Sequence, residues 1–484
     1  MRLKRLVVAT LAAAWIGTGW WQATKPLPGG TRLASAVCPV RAADTAFIAD
    51  ISAADAYGRA VASQAIFDEV LRVVRGARRF IVLDYADFGA RGAGAAPPRR
   101  LAAQLTDALL EQRRALPQLA VLFVVDPASE DYGASPAPEL QLLRAAGVEV
   151  VPVDLDALRD SNLVYSGLWR LALSWWDGPD GPAGVESRRL NFKADHRKLV
   201  VADDGQGGLT AVLGSASPLD RESGWSNAAV RISGAALPAL VASELAVARF
   251  SGWRGADAAF AAAPGAAACS GPAPADGDFA AGAAVHAQLL TEGEIREALL
   301  AHTDAAVAGD TIDIAAFRFA ERGVVESLLA AARRGVSVRL ILDPGEDASG
   351  AHGAGAGLPN QPLAAELVSR SNGAIHVRWY RTHGERFHSA LALVYDRQRA
   401  WLSVGSANFT RRSLNDYNLE ANLAVELLRT APLAQQSGDY FETLWSNKAA
   451  LGIEYTADYA AFADPSQADY WLCRVLEGLG AAPF

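Results

Sequence analysis

Two histidines, His196 and His388, open closely similar stretches of the chain. The first runs His196-Arg197-Lys198, then Asp203, then Gly214-Ser215; the second runs His388-Ser389-Ala390, then Asp396, then Gly405-Ser406-Ala407-Asn408. Gly214 follows its histidine by 18 residues and Gly405 follows its own by 17. A lone histidine ahead of an apolar strand is usually a packing residue, but two at matched places in two copies form a candidate pair. With an ordinary pKa of about 6.5, one neutral imidazole can attack an electrophilic centre while the other, protonated, gives its proton to the leaving oxygen. A phosphodiester anion repels nucleophiles, so such a site needs positive charge and donors for the non-bridging oxygens. Lys198, the hydroxyls of Ser215 and Ser406, and Asn408 are the candidates for that role.

Strand geometry explains the spacing. Side chains two apart on a strand share a face, so His196 and Lys198 can reach one phosphate if the histidine begins a strand. Strands over 199–202 and 210–213, and the matching strand over 400–404, then return Ser215 and Ser406 beside the histidines. Upstream, helical apolar spacing over 66–74, 101–114 and 139–146 alternates with short apolar strands over 79–84, 119–125 and 148–153. The same order recurs as helices over 294–306, 324–334 and 363–371 with strands over 311–319, 336–342 and 374–379. Strands joined by helical crossovers imply a sheet covered on its faces, and the recurrence implies an internal duplication. The halves are placed at 40–260 and 283–460, after a targeting segment and tether at 1–30. An Ala/Gly/Pro-rich linker at 261–282 separates them, and an extension follows at 461–484.

These motifs resemble the phospholipase D superfamily, with its His-x-Lys, downstream Asp and Gly-Ser-x-Asn turn. The run Gly405-Ser406-Ala407-Asn408 through Leu414, and the later Asn418-Leu419-Glu420, carry the most specific part of the likeness. The resemblance implies an α/β fold of two similar sandwich halves, pseudo-twofold related, with one shared active site. It also implies a two-step reaction through a phosphohistidine, without metal or cofactor, in which Glu420 orients a histidine.

The chain departs from that pattern in an asymmetric way. Ala390 stands where the second lysine belongs, Ser217 where the first turn would carry Asn, and Asn227 near the position that matches Glu420. Asp203 and Asp396 are supporting residues by position. With Lys198 in one half only, the expected nucleophile is His196, with His388 as the acid beside Glu420; Arg386, Arg411 or Arg412 are candidate replacements for the missing cation. Asp126-Pro127 and Asp343-Pro344 each end a strand and are expected to shape turns. His286, His302, His352, His376 and His383 lack a repeated context, and His383 is singled out only for its nearness to His388. The Gly-rich stretch 345–359 is either a loop near the site or an ordinary surface loop.

The balance of charge narrows the partners. Among 484 residues the net charge is −8, which disfavours a broad polyanion-binding surface. A phospholipid or other phosphodiester is therefore the expected substrate, with no stable nucleic-acid partner; a nuclease, or a phosphate- and headgroup-binding protein with little turnover, is the alternative. Arg2, Lys4 and Arg5 precede an apolar run to Trp21, the pattern of a secretory signal or membrane anchor. No small-x-small cleavage site follows, which favours an uncleaved anchor and a membrane-held or exported protein on the periplasmic side of a bacterial inner membrane. Trp169, Trp175 and Trp176 lie in a helical stretch at 163–176 that either packs into the core or forms an apolar lip for lipid chains. The three cysteines, Cys38, Cys269 and Cys473, allow one disulfide at most and have no metal-ligand spacing.

Overall fold

The computed structural model describes residues 2–482 except 91–98, 134, 136, 175–187, 262–268, 270–283, 346–356, 449–451 and 465. Trp175, Trp176, His352, nearly all of the 261–282 linker and most of the 345–359 loop lie outside the described residues.

The described strands fall into two sheets. In the first half they are β2 (Thr45–Ala54), β3 (Ala60–Ser63), β4 (Phe80–Tyr85), β5 (Ala120–Val125), β6 (Glu149–Pro152), β7 (Lys198–Asp203), β8 (Leu209–Gly214) and β9 (Asn227–Ser233). The second sheet contains β10 (Ala284–Thr291), β11 (Thr311–Ala316), β12 (Ser337–Leu342), β13 (Ile375–Tyr380), β14 (Ala390–Tyr395), β15 (Arg399–Gly405), β16 (Ala421–Leu428) and β17 (Thr456–Asp458). It also takes in an early strand, β1 (Cys38–Arg41), which pairs antiparallel with β10.

The orders are β3-β2-β9-β8-β7-β4-β5-β6 and β1-β10-β16-β15-β14-β11-β12-β13-β17. Removing the edge strands β3, β1 and β17 leaves two identical seven-strand topologies. In both, three parallel strands joined by helical crossovers (β4-β5-β6 and β11-β12-β13) continue into an antiparallel block. The duplication seen in the motifs therefore extends to the whole sheet.

Alternation along each strand creates the layers. Val82, Val124, Leu199 and Val201 of the first sheet share one buried cluster with Leu391, Leu393, Leu402 and Leu423 of the second, so the sheets pack face to face. The intervening residues point outward. Ile81, Leu83 and Phe123 meet Phe67, Val70, Leu105 and Leu140 of the first set of helices. Ile312, Ile314 and Leu340 meet Leu299, Val325, Leu328 and Leu367 of the second set. The result is an α/β sandwich of two similar halves, as the sequence led us to expect.

A disulfide and a buried ion-pair group tie distant parts of the chain together. Cys38 and Cys269, 231 residues apart, form a disulfide, and Cys473 is free and buried. Arg197, the middle residue of His-Arg-Lys, is fully buried and ion-paired at 2.8 Å to both Glu244 of the first half and Glu292 of the second. Its guanidinium points to the opposite side of the chain from the side chains of His196 and Lys198, as strand alternation demands.

Candidate active site

Neither histidine is inside a regular strand. His196 and His388 each lie two residues ahead of the strands that begin at Lys198 and Ala390, a small correction to the expected placement. Each sits in a segment that bridges to the other half. The His196 amide donates to the Leu419 carbonyl at 2.9 Å, and the His388 amide donates to the Ser226 carbonyl at 2.7 Å. Leu419 and Ser226 occupy matched positions, each immediately before the residue that meets an imidazole. The pseudo-twofold axis thus passes between the two histidine segments.

Two buried aspartates set these segments. Asp126 accepts from the Asp195 amide at 2.7 Å, and Asp343 accepts from the Phe387 amide at 2.8 Å. Each also accepts from the amide two residues further along its own chain, at Ala128 and Gly345. The repeated Asp-Pro pairs therefore shape turns, as expected, and also hold the residue preceding each catalytic candidate. Their recurrence after equivalent strands was the signal that could have revealed the second role.

The ring partners cross between halves. His196 Nδ1 lies 2.9 Å from Glu420 Oε2. His388 Nδ1 lies 3.0 Å from the Ser215 carbonyl and 3.2 Å from Asn227 Oδ1. Glu420 was expected beside His388; it holds His196 instead, because the segment leading into β16 pairs Leu419 with the first half. Burial pushes the Glu420 carboxyl up, but the His196 charge and hydrogen bond, with Lys198 and Ser406, outweigh it and hold it below the usual range. Glu420 is an ionised partner.

His388 has only neutral partners. Burial, then the charges of Lys198 and His196, push its imidazole well below its ordinary pKa, against the opposing hydrogen bond to Ser215. Because a carbonyl can only accept, Nδ1 of His388 carries the hydrogen and Nε2 is left with its lone pair.

The serine hydroxyls are both engaged within the protein. Ser215 Oγ donates to Asn227 Oδ1 at 2.9 Å and accepts from the Ala228 amide. Ser406 Oγ donates to Glu420 Oε2 and accepts from the Ala421 amide. A hydroxyl has one proton to give, so both serines position the groups that orient the histidines. Asn408 is half-buried two residues beyond Ser406 and has no side-chain hydrogen bond among the described residues.

Asp203 and Asp396 are not at the site. Asp203 closes the far end of β7, accepting from the amides of Arg79 at 2.7 Å and Phe80 at 2.9 Å. Asp396 caps the β14–β15 turn through the amides of Gln398 at 2.6 Å and Arg399 at 2.7 Å. With roughly 3.3 Å of rise per residue, a six-residue strand separates each from its histidine by well over 10 Å.

The cationic side of the site is built unequally. Lys198 is buried, with Nζ donating to the His196 carbonyl at 3.0 Å. Its counterpart Ala390 is buried against Ala316 and brings no charge. Near His388, Arg386 lies over the Trp225 ring at 5.2 Å and the Phe317 ring at 5.5 Å. Those two rings flank the His388 imidazole at 5.2 and 4.7 Å. The Arg386 charge is among those that depress the His388 pKa.

Arg411 is turned away onto Tyr417 and Ser161. Arg412 is half-buried, its pKa lowered to about 10 by desolvation and the Arg318 charge. Trp225 and Phe317 were missed in the sequence, since nothing marks an aromatic as a ring neighbour of a histidine before the fold brings them together. Glu222 was missed too. It is buried, and burial and Asp87 push its carboxyl up to about 8 despite Lys198, Arg221 and Arg386.

The other histidines among the described residues have partners of their own. His302 stacks on Trp401 at 4.3 Å and meets Glu426, and His286 and His376 lie on β10 and β13. His383 is paired locally with Glu385. Among the described residues no group of acids, histidines and cysteines is arranged to hold a metal ion.

Comparison with known proteins bears on the fold and on part of the second half. Residues 303–445 match the family model described as the phospholipase D-like domain of cardiolipin synthase. The phosphatidylserine synthase of Haemophilus influenzae superposes over 96% of this chain and 98% of its own, with a TM-score of 0.57 at 12% identity. Two looser likenesses are a polyphosphate kinase of Porphyromonas gingivalis (TM-score 0.44, 14% identity, 90% of this chain and 53% of that one) and Nuc of Salmonella typhimurium, a phospholipase D family member (TM-score 0.27, 21% identity, 36% and 98%). No curated protein matches in sequence. The two-sheet fold and the duplicated histidine motifs resemble those of phospholipase D-like proteins. The family match thus covers residues 303–445, and the chain as a whole shares the fold of the phosphatidylserine synthase.

Proposed function

We propose that the chain is a phospholipase D-type phosphodiesterase or phosphatidyltransferase acting on phospholipids, with His388 as the nucleophile and His196 as the acid and base. The observation that carries this reading is the unequal pairing of the two rings: His388 Nδ1 faces a carbonyl and an amide oxygen, and His196 Nδ1 faces an ionised carboxylate. It reverses the roles expected from the position of Lys198.

In the first step, the His388 Nε2 lone pair forms a bond to phosphorus and the bond to the leaving alkoxide breaks. His196, protonated and stabilised by Glu420, gives its Nε2 proton to that alkoxide. In the second step, water or an alcohol gives a proton to His196 while its oxygen attacks phosphorus. The phosphorus–nitrogen bond breaks and returns its electron pair to His388. Water yields hydrolysis and an alcohol yields transfer. Lys198 and Arg386 supply positive charge to the non-bridging oxygens, the second from a guanidinium held between Trp225 and Phe317 rather than from the position of Ala390.

The description of the matched family model favours a phospholipid over a polynucleotide, as does the acidic balance of the chain. The test is product analysis on mixed phospholipid vesicles with and without added alcohol. Free headgroup and phosphatidic acid, or the exchanged phospholipid, are expected, and their absence in every condition would reject the enzyme reading. Ala390 also favours a second reading, a headgroup-binding protein with little turnover. A silent wild type whose Ala390→Lys variant turns over would select it.

A further inference from the structure

The apolar segment near the start of the sequence forms one helix, Arg2–Thr24, with no acidic residue along its length. It does not project freely from the protein. Trp15 Nε1 donates to the Val164 carbonyl at 2.8 Å, and the Gln22 carbonyl accepts from the Asp160 amide at 3.0 Å. Lys25 Nζ donates to the Asp156 carbonyl at 2.7 Å.

Two glycines let the backbones approach. A Cβ on Gly19 would stand 2.3 Å from the Leu163 carbonyl oxygen, and one on Gly167 would stand 2.1 Å from Trp15. The partner is a short α-helix, Leu163–Leu168, that continues as a π-helix, Trp169–Leu173. Two segments about 140 residues apart in sequence are thus fitted to each other through positions that tolerate only glycine.

Both carry uncovered apolar side chains. Trp20 and Trp21 are 63% and 54% exposed on the long helix, and Val164, Leu168 and Leu171 are 45–50% exposed on the short one. Arg2, Lys4 and Arg5 add a cluster of positive charge to one end of the long helix, in a chain whose net charge is −8. Apolar surface with tryptophans and a local basic cluster complements an anionic lipid surface. Among the described residues no helix is long and apolar enough to cross a membrane.

The shorter helix also adjoins the segment that leads to His196. A cavity of about 280 Å³ is lined by Trp169 from the π-helix, by Asp156, whose carbonyl meets Lys25, and by Lys193 and Pro127. Lys193 lies three residues before His196, and Pro127 directly follows the aspartate that holds the Asp195 amide.

We infer that the Arg2–Thr24 helix is retained in the working protein and, with the 163–173 segment, forms a two-helix platform that seats the enzyme on an anionic phospholipid surface. This rests on the phospholipid reading only for its biological sense; binding is read independently of turnover.

The test is flotation of the full-length chain with vesicles of phosphatidylglycerol and phosphatidylethanolamine, and with phosphatidylcholine alone. Hydrolysis of bis(4-nitrophenyl) phosphate, a water-soluble diester, is followed in parallel. The wild type is expected to float with the anionic vesicles and to weaken with salt. Leu168→Gln with Leu171→Gln is expected to cut binding about tenfold or more, leaving soluble-diester turnover and thermal stability unchanged.

Replacing Arg2, Lys4 and Arg5 by Gln is a second route that leaves the packing intact, and is expected to remove most of the salt dependence. Unchanged flotation of the Leu168/Leu171 variant would overturn the platform, because a simple anchor made by residues 2–24 needs no second helix. So would an intact mass showing that membrane-recovered protein lacks residues 2–24. A wild type that floats as described but turns over no diester would sink the enzymatic reading and leave the platform standing.

Discussion

Glu420, from the second half of the chain, holds the Nδ1 face of His196, from the first, at 2.9 Å. The reciprocal contact, His388 to Asn227 at 3.2 Å, lacks the charge. One difference between a carboxylate and an amide, at equivalent places, makes a symmetric fold into an asymmetric site.

Replacing that carboxylate should damage the acid. Glu420→Gln keeps the shape and removes the negative charge opposite His196. Turnover of a substrate with a poor leaving group is expected to fall about a hundredfold, while bis(4-nitrophenyl) phosphate, whose leaving group needs no proton, should lose much less in its first step. Steady-state and burst measurements with both substrates separate the two.

The acidic limb of kcat/KM reports the nucleophile. His388 attacks only when neutral, and its pKa lies well below 6.5, so activity should persist through pH 6.5 and be lost only as the pH falls through the depressed value. After burial, Lys198 is the largest cause of that depression, so Lys198→Met should move the limb upward as well as lower the rate. Asn227→Asp, which sets a negative charge beside the ring, should move it in the same direction.

Arg386 is expected to supply the cation that Ala390 does not. Arg386→Ala should cut kcat about a hundredfold. Ala390→Lys in that background should restore part of the loss, and Arg386→Lys should restore less than its charge suggests, since an ammonium cannot stack on Trp225 and Phe317 as a guanidinium does. Activity of the four proteins on one diester is the measurement.

Arg197 should matter for stability. Arg197→Met leaves Glu244 and Glu292 buried without their cation, a loss of about 3–5 kcal/mol by denaturant unfolding. Burial already raises the Glu292 carboxyl to about 7, with Arg197 opposing. Without Arg197 its folded pKa rises further. An acid raised on folding stabilises below its unfolded pKa and loses that contribution as the pH rises through the folded value. The destabilisation should therefore be larger at pH 8 than at pH 6.

Much of the architecture was legible because it depends on local pattern. The alternating helices and strands of 66–153 and 294–380 have apolar spacings that decide their type, and the duplicated Gly-Ser turns reveal the repeat. The two histidines were legible for the same reason. What the sequence concealed was tertiary: Leu419 and Ser226 cross to the opposite half, so each ring meets a partner that spacing alone assigns to the other. The hydroxyls of Ser215 and Ser406 were read as phosphate donors because their types fit, yet each has its one proton committed to Asn227 or Glu420. Asp203 and Asp396 were read as supports because they follow the histidines closely in sequence, but an extended strand turns that interval into distance. Trp225 and Phe317 had no pattern at all; they become neighbours of His388 only when the sheets close.

The division of labour between the rings is tested most directly by a single-turnover experiment on full-length His196→Ala and His388→Ala with bis(4-nitrophenyl) phosphate. His196→Ala should release about one equivalent of 4-nitrophenol per chain and then stall, with mass spectrometry placing the phosphoryl adduct on His388; His388→Ala should give no burst. An adduct on His196 in the His388→Ala protein, with no burst from His196→Ala, would contradict the assignment.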